Sequence, residues 1–376
     1  MSENRIVVRI HAGTVDRLNE IVSLTAKPKV WFEDWREGTS RLAVSRIDET
    51  GEVVSDVPSQ FEPNTRQISW LTGELQKDKS ALYQIRSTDA EEEAPACYCI
   101  EQKPAHLLIN VNGDLFARYS YLGVWKPYFW PVNGPSGNVV RGAGGGDHPH
   151  HTGLFMSYGG HGEGGSANIW SDWDEPPYGP CGKMLHQRFV RMTTGSVYAE
   201  FVEDVIYVKG NGDVILDERR TARLWYADDN ARFLDLSFET TTPLDIGTRQ
   251  FMLVARINPS MKIPNEGHVE NSEGDIGRKE IHHKKARWCD FSGKVGDGIN
   301  GICTFDHPQN PEYPGFWGEI AVPSQMTLLH HPPDEIPGDR FQLKFRVYIH
   351  DGSTADAQME TRYQSYVSPI HVELVR

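Results

Sequence analysis

Three consecutive long segments in the middle of the chain alternate their side chains between two faces. In the first, Val197, Ala199 and Phe201 fall on one face and Glu200 on the other. A repeat of two residues is that of a β-strand. The second segment, VILDERRTARLWYA, could also be a helix, but Thr221 and its aromatic end favour a strand. With the third segment, RFLDLSFETTTPLDI, the pattern predicts consecutive antiparallel strands.

Turn signals divide the rest of the chain into short segments. Asn112-Gly113 separates two apolar runs and predicts a hairpin. In the first 90 residues, strands are predicted at VWFEDW, SRLAVSRI, QISWLTGEL and ALYQIRS. A helix is predicted from Ala355 to Tyr366. Many strands with little helix predict an all-β protein, a large antiparallel β-sandwich with a smaller N-terminal β domain.

The domain boundary is predicted at an acidic, proline-containing segment, residues 88–96. It divides the chain into an N-terminal β-sandwich-like domain, residues 1–95, and a large β-sandwich domain, residues 96–376. The larger domain carries the histidine- and glycine-rich segment described below.

Composition excludes several classes of partner. The net charge is −14 and the isoelectric point is near 5.5. Nucleic acid and anionic membranes need a basic face, so we expect neither as a partner. No apolar run is long enough to span a bilayer, and the N-terminus does not have the pattern of a signal peptide. Five cysteines without a zinc-ribbon spacing indicate reduced thiols. We therefore expect a cytoplasmic protein.

The segment from Gly142 to Trp173 concentrates the residues with the strongest chemistry. Glycine runs lie on both sides of a histidine cluster, and glycine allows the backbone to approach a ligand closely. This pattern predicts a binding or catalytic site. The predicted site residues of this segment are Asp147, His148, His150, His151, His161, Glu163, Trp170, Asp172 and Trp173.

The histidines have two interpretations. His148 and His150 are two positions apart and would share one face of a strand, where they could bind a divalent metal ion. His161, His186 or Glu163 would complete that site, and the metal ligands we favour are His148, His150 and His161. The alternative is a set of structural histidines that pack an Asp-His-Pro turn.

The aromatic residues point to a sugar. Trp170, Trp173 and the upstream Tyr128 could stack on the C–H faces of a sugar ring, while Asp172 accepts its hydroxyl groups. The alternative is that these rings belong to the core of a large sandwich, as most of the 10 tryptophans must.

Residues outside the central segment complete the prediction. Arg141 could hold a carboxylate, and His186 could act as an acid or base. His307 follows Asp306 in a second Asp-His-Pro turn that could converge on the same pocket, whereas Asp306 itself is expected to fix the turn. His330 is expected to lie in a solvated loop.

Several segments together resemble a known family. They are HAGTVDRLNEIVSL, VPSQFEP, YFWPVNGPSGNVVRG, DHPHHTGLFMSYG, FDHPQNPEYPGFW and LKFRVYIHDG. In this order and spacing they are similar to the bacterial family that carries the name methane oxygenase PmoA, over nearly the whole chain. Relatives usually have arginine where this chain has Thr152, and a basic residue where it has Glu312. Both differences lie beside the predicted site, so the ligand could differ within the family.

The resemblance implies a soluble β-sandwich protein of sugar catabolism, and we expect a supersandwich of the galactose-mutarotase-like kind. The predicted ligand is a small molecule or an oligosaccharide. The leading hypothesis is a carbohydrate lyase, hydratase or isomerase that uses His150 or His161 as base, Asp147 as orienting partner and Glu163 as second acid or base. The alternatives are a glycoside hydrolase using Glu163 and Asp172, and a non-catalytic carbohydrate-binding protein.

Overall fold

A computed structural model shows a β-sheet protein, as the sequence predicts. The structure describes residues 5–36, 39–89, 97–142, 150–159, 168–172, 181–241, 251–318, 325–330 and 340–375. Within these ranges, two large antiparallel sheets form one sandwich, and smaller sheets form a second one at the N-terminus. The predicted fold class, a large antiparallel β-sandwich with a smaller N-terminal β domain, is confirmed.

The large sandwich consists of a ten-stranded and an eight-stranded sheet. The ten-stranded sheet contains β10 (Tyr98–Gln102), β11 (His106–Val111), β12 (Asp114–Ser120), β13 (Tyr128–Gly134), β14 (Gly137–Asn138), β15 (Leu154–Tyr158), β20 (Phe251–Arg256), β22 (Lys284–Lys285), β25 (Phe316–Gly318) and β26 (Gln325–His330). The eight-stranded sheet contains β16 (Lys183–Thr193), β17 (Ala199–Val208), β18 (Val214–Asp228), β19 (Ala231–Thr241), β21 (His268–Asn271), β23 (Trp288–Val295), β24 (Gly298–Asp306) and β27 (Arg340–Asp351).

The N-terminal sandwich is closed by a strand from the far end of the sequence. Its five-stranded sheet contains β1 (Arg5–His11), β4 (Ser40–Ile47), β5 (Val53–Val57), β9 (Ser80–Asp89) and β28 (His371–Leu374). The smaller sheets contain β2 (Arg17–Leu18) and β8 (Glu74–Leu75), and β3 (Ile21–Thr25), β6 (Ser59–Glu62) and β7 (Gln67–Leu71). β28 pairs with β1, which adds Val372 to the N-terminal core. The division at residues 95 and 96 stays a prediction, since residues 90–96 lie outside the described part.

Helix is sparse among the described residues. The helices are α1 (Pro28–Trp31), α2 (Arg278–Ile281) and α3 (Met359–Val367), and two 3₁₀ turns span Pro259–Met261 and Ile263–Asn265. The helix predicted from Ala355 is confirmed only from Met359 onward. The strand predicted at VWFEDW is wrong, because Pro28 begins a helical turn there, with a fixed φ suited to a first helical position.

The predicted hairpin and the first two predicted long strands are confirmed, and the third is confirmed as far as Thr241, since residues 242–250 lie outside the described part. β11 and β12 pair around Asn112 and Gly113, which both have positive φ, 53° and 90°. Such values are those of the tight hairpin turn that Asn-Gly favours. VILDERRTARLWYA lies within β18, which pairs along its length with β17 and β19.

The ten-stranded sheet buries different residues on its two faces. In β15, Leu154, Met156 and Tyr158 point into the main core between the large sheets. Phe155 points the other way and joins a small separate cluster with Val254. Because successive side chains of a strand alternate, this outer face is available to support a site.

A buried arginine joins the two sandwiches. Arg346 of β27 bonds Asp235 at 2.6 and 3.0 Å, and it bonds Glu20 of the N-terminal sandwich at 2.9 Å. Its guanidinium also lies 5.0 Å from the Trp225 ring centroid and 4.6 Å from that of Tyr366. Charged groups so deeply buried require partners of this kind.

Removing Glu20 tests this junction. We expect Glu20→Ala to lower the free energy of unfolding by about 3–5 kcal/mol, because Arg346 then remains buried with part of its charge unpaired. The matched control is Glu49→Ala, which breaks an ion pair with Arg9 whose carboxylate is 76% exposed. That change should cost less than about 1 kcal/mol. Denaturant unfolding would measure both, and equal losses would contradict the role given to Glu20.

A second buried ion pair lies within the eight-stranded sheet. His350 Nδ1 faces the Asp351 carbonyl at 3.1 Å, and its Nε2 faces the Asp290 carboxylate at 3.0 Å. A carbonyl only accepts, so Nδ1 donates, and the carboxylate favours a proton on Nε2 as well. Burial alone would lower the His350 pKa, but the interactions with Asp290 and Asp351 outweigh it and raise that pKa. The doubly protonated ring is therefore favoured.

This pair predicts a pH-dependent stability. With a folded-state pKa raised above that of the unfolded chain, about 6.5, the stabilisation is complete below that pH and is lost as pH rises through the raised value. The difference in unfolding free energy between the native protein and His350→Gln should therefore shrink from pH 6 to pH 9. Asp290→Asn should remove the trend, and a difference that grows with pH would contradict the assignment.

Candidate functional site

A cavity of about 170 Å³ opens beside the outer face of the ten-stranded sheet. Its walls come from the segment before β13, from the entrance to β15 and from the loop that carries Asp172. The lining residues are Gly123, Val124, Trp125, Lys126, Tyr128, His150, Thr152, Phe155 and Asp172. Strand register explains part of this arrangement, because Tyr128 is paired directly with Phe155 across β13 and β15.

An ion pair between Lys126 and Asp172 lies at the wall of the cavity. Lys126 Nζ donates to the Asp172 carboxylate and, at 2.9 Å, to the Trp170 carbonyl. The ammonium also lies 5.2 Å from the Phe155 ring centroid. The lysine side chain is 4% exposed and the aspartate side chain 25%. Asp172 is therefore the more accessible member of the pair.

Burial shifts the proton affinities of this pair. It lowers the pKa of the Lys126 ammonium, although Asp172 acts in the opposite direction. It raises the pKa of the Asp172 carboxyl, against the effect of Lys126. Both shifts bring the two proton affinities closer together, so that proton transfer at this wall costs less than it would in water.

Two predicted histidines lie together beside the pair. The rings of His150 and His151 are 4.1 Å apart, and Trp170 contacts both, at 5.7 and 4.8 Å between ring centroids. Both imidazoles are buried, and His150 lines the cavity. Trp170 also packs against Phe155, with ring centroids 6.2 Å apart, so the histidines rest on the small outer cluster of the sheet.

Gly153 explains how the chain reaches this position. Its φ is +65°, and a Cβ there would lie 2.0 Å from the Phe129 carbonyl oxygen. A larger residue would push the chain away from β13. The glycine therefore brings His150, His151 and Thr152 against the sheet just before β15 begins.

The structure brings five of the predicted site residues together, namely Tyr128, His150, His151, Trp170 and Asp172. Five others lie outside the described residues, namely Asp147, His148, His161, Glu163 and Trp173. The metal site predicted from His148, His150 and His161 therefore stays a prediction. Within the described part of the chain, no group of three or more His, Cys, Asp or Glu side chains could hold a metal ion.

Arg141, His186 and His307 are not among the residues that line the cavity. The Arg141 backbone bonds Arg256 and Gly153, which places it next to the entrance of β15. His186 lies on β16, where its Nδ1 is 2.6 Å from the buried Glu203 carboxylate. His307 is half-buried, and its Nδ1 accepts a bond from the Gln309 backbone. Burial lowers the His307 pKa.

The second Asp-His-Pro turn has the structural role expected for Asp306. Its carboxylate accepts bonds from Asn310 and from the Gly315 backbone, at 2.7 and 2.8 Å. It also lies 3.0 Å from His330 Nε2. The expectation that His330 lies in a solvated loop is wrong, since the ring is 1% exposed and contacts the Pro311 carbonyl. His330 is the last residue of β26, and this mostly apolar strand places the ring in the interior.

Sequence reasoning missed Lys126. The available signal was a single lysine between Trp125 and Tyr128 in a run dense in aromatics and prolines. Its partner, Asp172, is 46 residues away in the sequence. Lysines in such runs are usually solvated, so the burial of this one could be found only from the fold.

The chain belongs to a family of unknown function, DUF6807, whose model matches residues 106–364. No curated protein matches it. The solved structures that match include a protein in the glycosyl hydrolase family 38 from Enterococcus faecalis, which is 10% identical, with a TM-score of 0.46. That match covers 100% of this chain and 48% of the other, so the chain spans about half the length of that protein. A likeness at this level carries no argument about this chain.

None of these matches bears on the resemblance to the family named methane oxygenase PmoA, which stays a prediction. In the part of the chain that the structure describes, no helix has the length and apolar character needed to cross a bilayer.

Lys126→Met tests the ion pair at the cavity wall. Loss of the ammonium should raise the pKa of the Asp172 carboxyl further, and should cost about 1–3 kcal/mol of unfolding free energy. Carbon-13 NMR titration of the carboxyl group would measure the first effect. Lys103→Met removes a lysine from the exposed pair with Glu101 and should leave Asp172 unchanged. An unaltered Asp172 titration in Lys126→Met would show that the two groups are not coupled.

Proposed function

We propose that the protein is a carbohydrate-active enzyme that performs lyase, hydratase or isomerase chemistry on a sugar or keto-sugar derivative. The observation that carries this proposal is one small cavity in which aromatic rings meet three ionisable groups. The rings are those of Trp125, Tyr128 and Phe155, and the ionisable groups belong to Lys126, His150 and Asp172.

The walls of the cavity suit a sugar ring. Aromatic faces pack against the C–H groups of a pyranose, while the carboxylate, imidazole and Thr152 hydroxyl can exchange hydrogen bonds with its hydroxyl groups. At about 170 Å³, the cavity is smaller than the pockets of roughly 300–1,000 Å³ that hold drug-sized ligands. It therefore fits a monosaccharide derivative, or one unit of a longer chain.

The ionisable groups suit proton transfer next to a carbonyl. An imidazole has an ordinary pKa near working pH, so His150 can remove a proton from the carbon beside the carbonyl. The Lys126 ammonium can stabilise the oxygen that gains negative charge, and the Asp172 carboxyl group, when it is protonated, can return a proton to it. The roles proposed from the sequence for Asp147, His161 and Glu163, and for a divalent metal ion, would add to this set.

Two other functions use the same cavity. A glycoside hydrolase needs two carboxyl groups on either side of the bond that is cleaved. Among the described lining residues Asp172 is the only carboxylate, and Lys126 already holds it. Proton transfer by the histidine is therefore better supported, unless Glu163 supplies the second carboxyl group. A non-catalytic carbohydrate-binding protein would need the aromatic wall but not the ion pair.

The ligand class, location and family proposed from the sequence are consistent with this function. A net charge of −14 supports a small-molecule or oligosaccharide ligand rather than nucleic acid or an anionic membrane. We propose a cytoplasmic location, and we propose that the resemblance to the PmoA-named family reflects a shared role in sugar catabolism.

Hydrogen exchange tests the proposed chemistry directly. In D₂O with a panel of keto-sugars and sugar acids, proton NMR should show loss of the signal beside the carbonyl, and elimination should create ultraviolet absorbance. His150→Gln and Asp172→Asn should each slow the reaction by about 10²-fold or more, the usual contribution of a general acid or base. The control is Glu101→Gln, which neutralises the carboxylate of the exposed Lys103–Glu101 pair.

The outcomes separate the three functions. Release of reducing ends without exchange or absorbance would favour the hydrolase. Saturable binding with every ligand recovered unchanged would favour the binding protein. Melting curves of each variant would show whether a lost activity reflects the reaction or the fold.

A further inference from the structure

A second cavity, of about 430 Å³, lies in the N-terminal sandwich and shares no lining residue with the first. Its floor contains Trp35 and Phe61, whose rings meet edge to face with centroids 5.7 Å apart. Both rings are half-buried and pack against the N-terminal core, which fixes their orientation. The cavity therefore offers a rigid apolar surface that remains open to solvent.

Positive charge surrounds this floor. The ionisable residues that line the cavity are Lys27, Lys29, Arg41 and Arg66, and no carboxylate occurs among the described lining residues. Lys27, Lys29 and Arg66 are exposed. Four cations around one cavity are unexpected in a chain of net charge −14, because its overall field repels anions. Lys27 and Arg66 place positive charge beside the aromatic floor.

We propose that this cavity binds an acidic saccharide through a uronate unit. The C–H face of the uronate ring would stack on Trp35, and its carboxylate would face Arg66 and Lys27. Neutral sugars would lose the charge interaction, and inorganic anions would lose the stacking. The assignment of a saccharide rests on the proposed carbohydrate function, whereas the assignment of an anion rests only on the lining residues.

Such a site would be an attachment site separate from the reaction site. The N-terminal sandwich would hold an acidic chain while the cavity beside His150 acts on a suitable unit or product. Because exposed cations are screened by salt, binding at the N-terminal cavity should weaken as ionic strength rises.

Calorimetry with the full chain tests the proposal, with trigalacturonate, galactose and adenosine monophosphate as probes. Trigalacturonate should bind, and raising salt from about 50 mM to 500 mM should weaken it severalfold. Arg66→Gln should weaken binding about threefold or more, the scale of an exposed charge interaction. Trp35→Ala should weaken it about tenfold, as expected for a lost aromatic contact. Lys77→Gln, which changes an exposed lysine that does not line the cavity, should have no effect.

The following results would contradict the proposed uronate site. Equal affinity for galactose and trigalacturonate, or equal loss in Arg66→Gln and Lys77→Gln, would overturn the site. Tighter binding of adenosine monophosphate at the same residues would replace the saccharide by a nucleotide. Asp172→Asn should retain trigalacturonate binding, so failure of the proposed reaction and failure of this site are separate observations. Because Arg66 is exposed, Arg66→Gln should remain folded. It therefore still tests the site if Trp35→Ala unfolds the protein.

Discussion

The relative position of the two sandwiches depends on the buried guanidinium of Arg346. It is bonded to Asp235 within its own sheet and to Glu20 of the other sandwich, and aromatic rings cover it. A charge in this position has a large desolvation cost, so it tolerates few alternative arrangements of its partners. Apolar contact alone could be satisfied by several dockings of one sandwich on the other. The directional bond from Arg346 to Glu20 favours one of them, and Arg362, which donates to the Leu18 carbonyl, adds a second contact between the sandwiches.

The two faces of the ten-stranded sheet contribute differently, the inner one to stability and the outer one to the candidate site. Its inner face belongs to the main core, whereas its outer face carries Phe155, Trp170 and their small cluster. Charged groups beside the outer face can therefore have a desolvation cost while lying outside the main core. Lys126 and Asp172 illustrate this, because burial disfavours the charged form of each while their contact partly compensates. Acid–base sites commonly show this combination of burial and a specific charge partner.

The sequence predicted the features that depend on local repeats. Alternation identified β17 to β19, and Asn112-Gly113 identified a hairpin, because both signals act over a few residues. The histidine and glycine pattern drew attention to His150 and His151, and the structure places His150 at a cavity with His151 packed against it. Lys126 and the buried position of His330 could not be found in this way, because each depends on a partner 46 or 24 residues away. In the VWFEDW segment a local pattern was misleading, because the apolar pattern predicted a strand whereas Pro28 begins a helical turn.

The pairing of β28 with β1 has a consequence for synthesis of the chain on the ribosome. β1 lies between β9 and β28, so one of its edges is covered only after residues 371–374 have been made. Until then the nascent N-terminal sandwich presents a row of unpaired backbone groups beside the apolar side chains Ile6, Val8 and Ile10. An open edge of this kind readily pairs with other chains. Most of translation, from the completion of β9 until residues 371–374 are made, is therefore the period in which this edge most needs protection from wrong pairing.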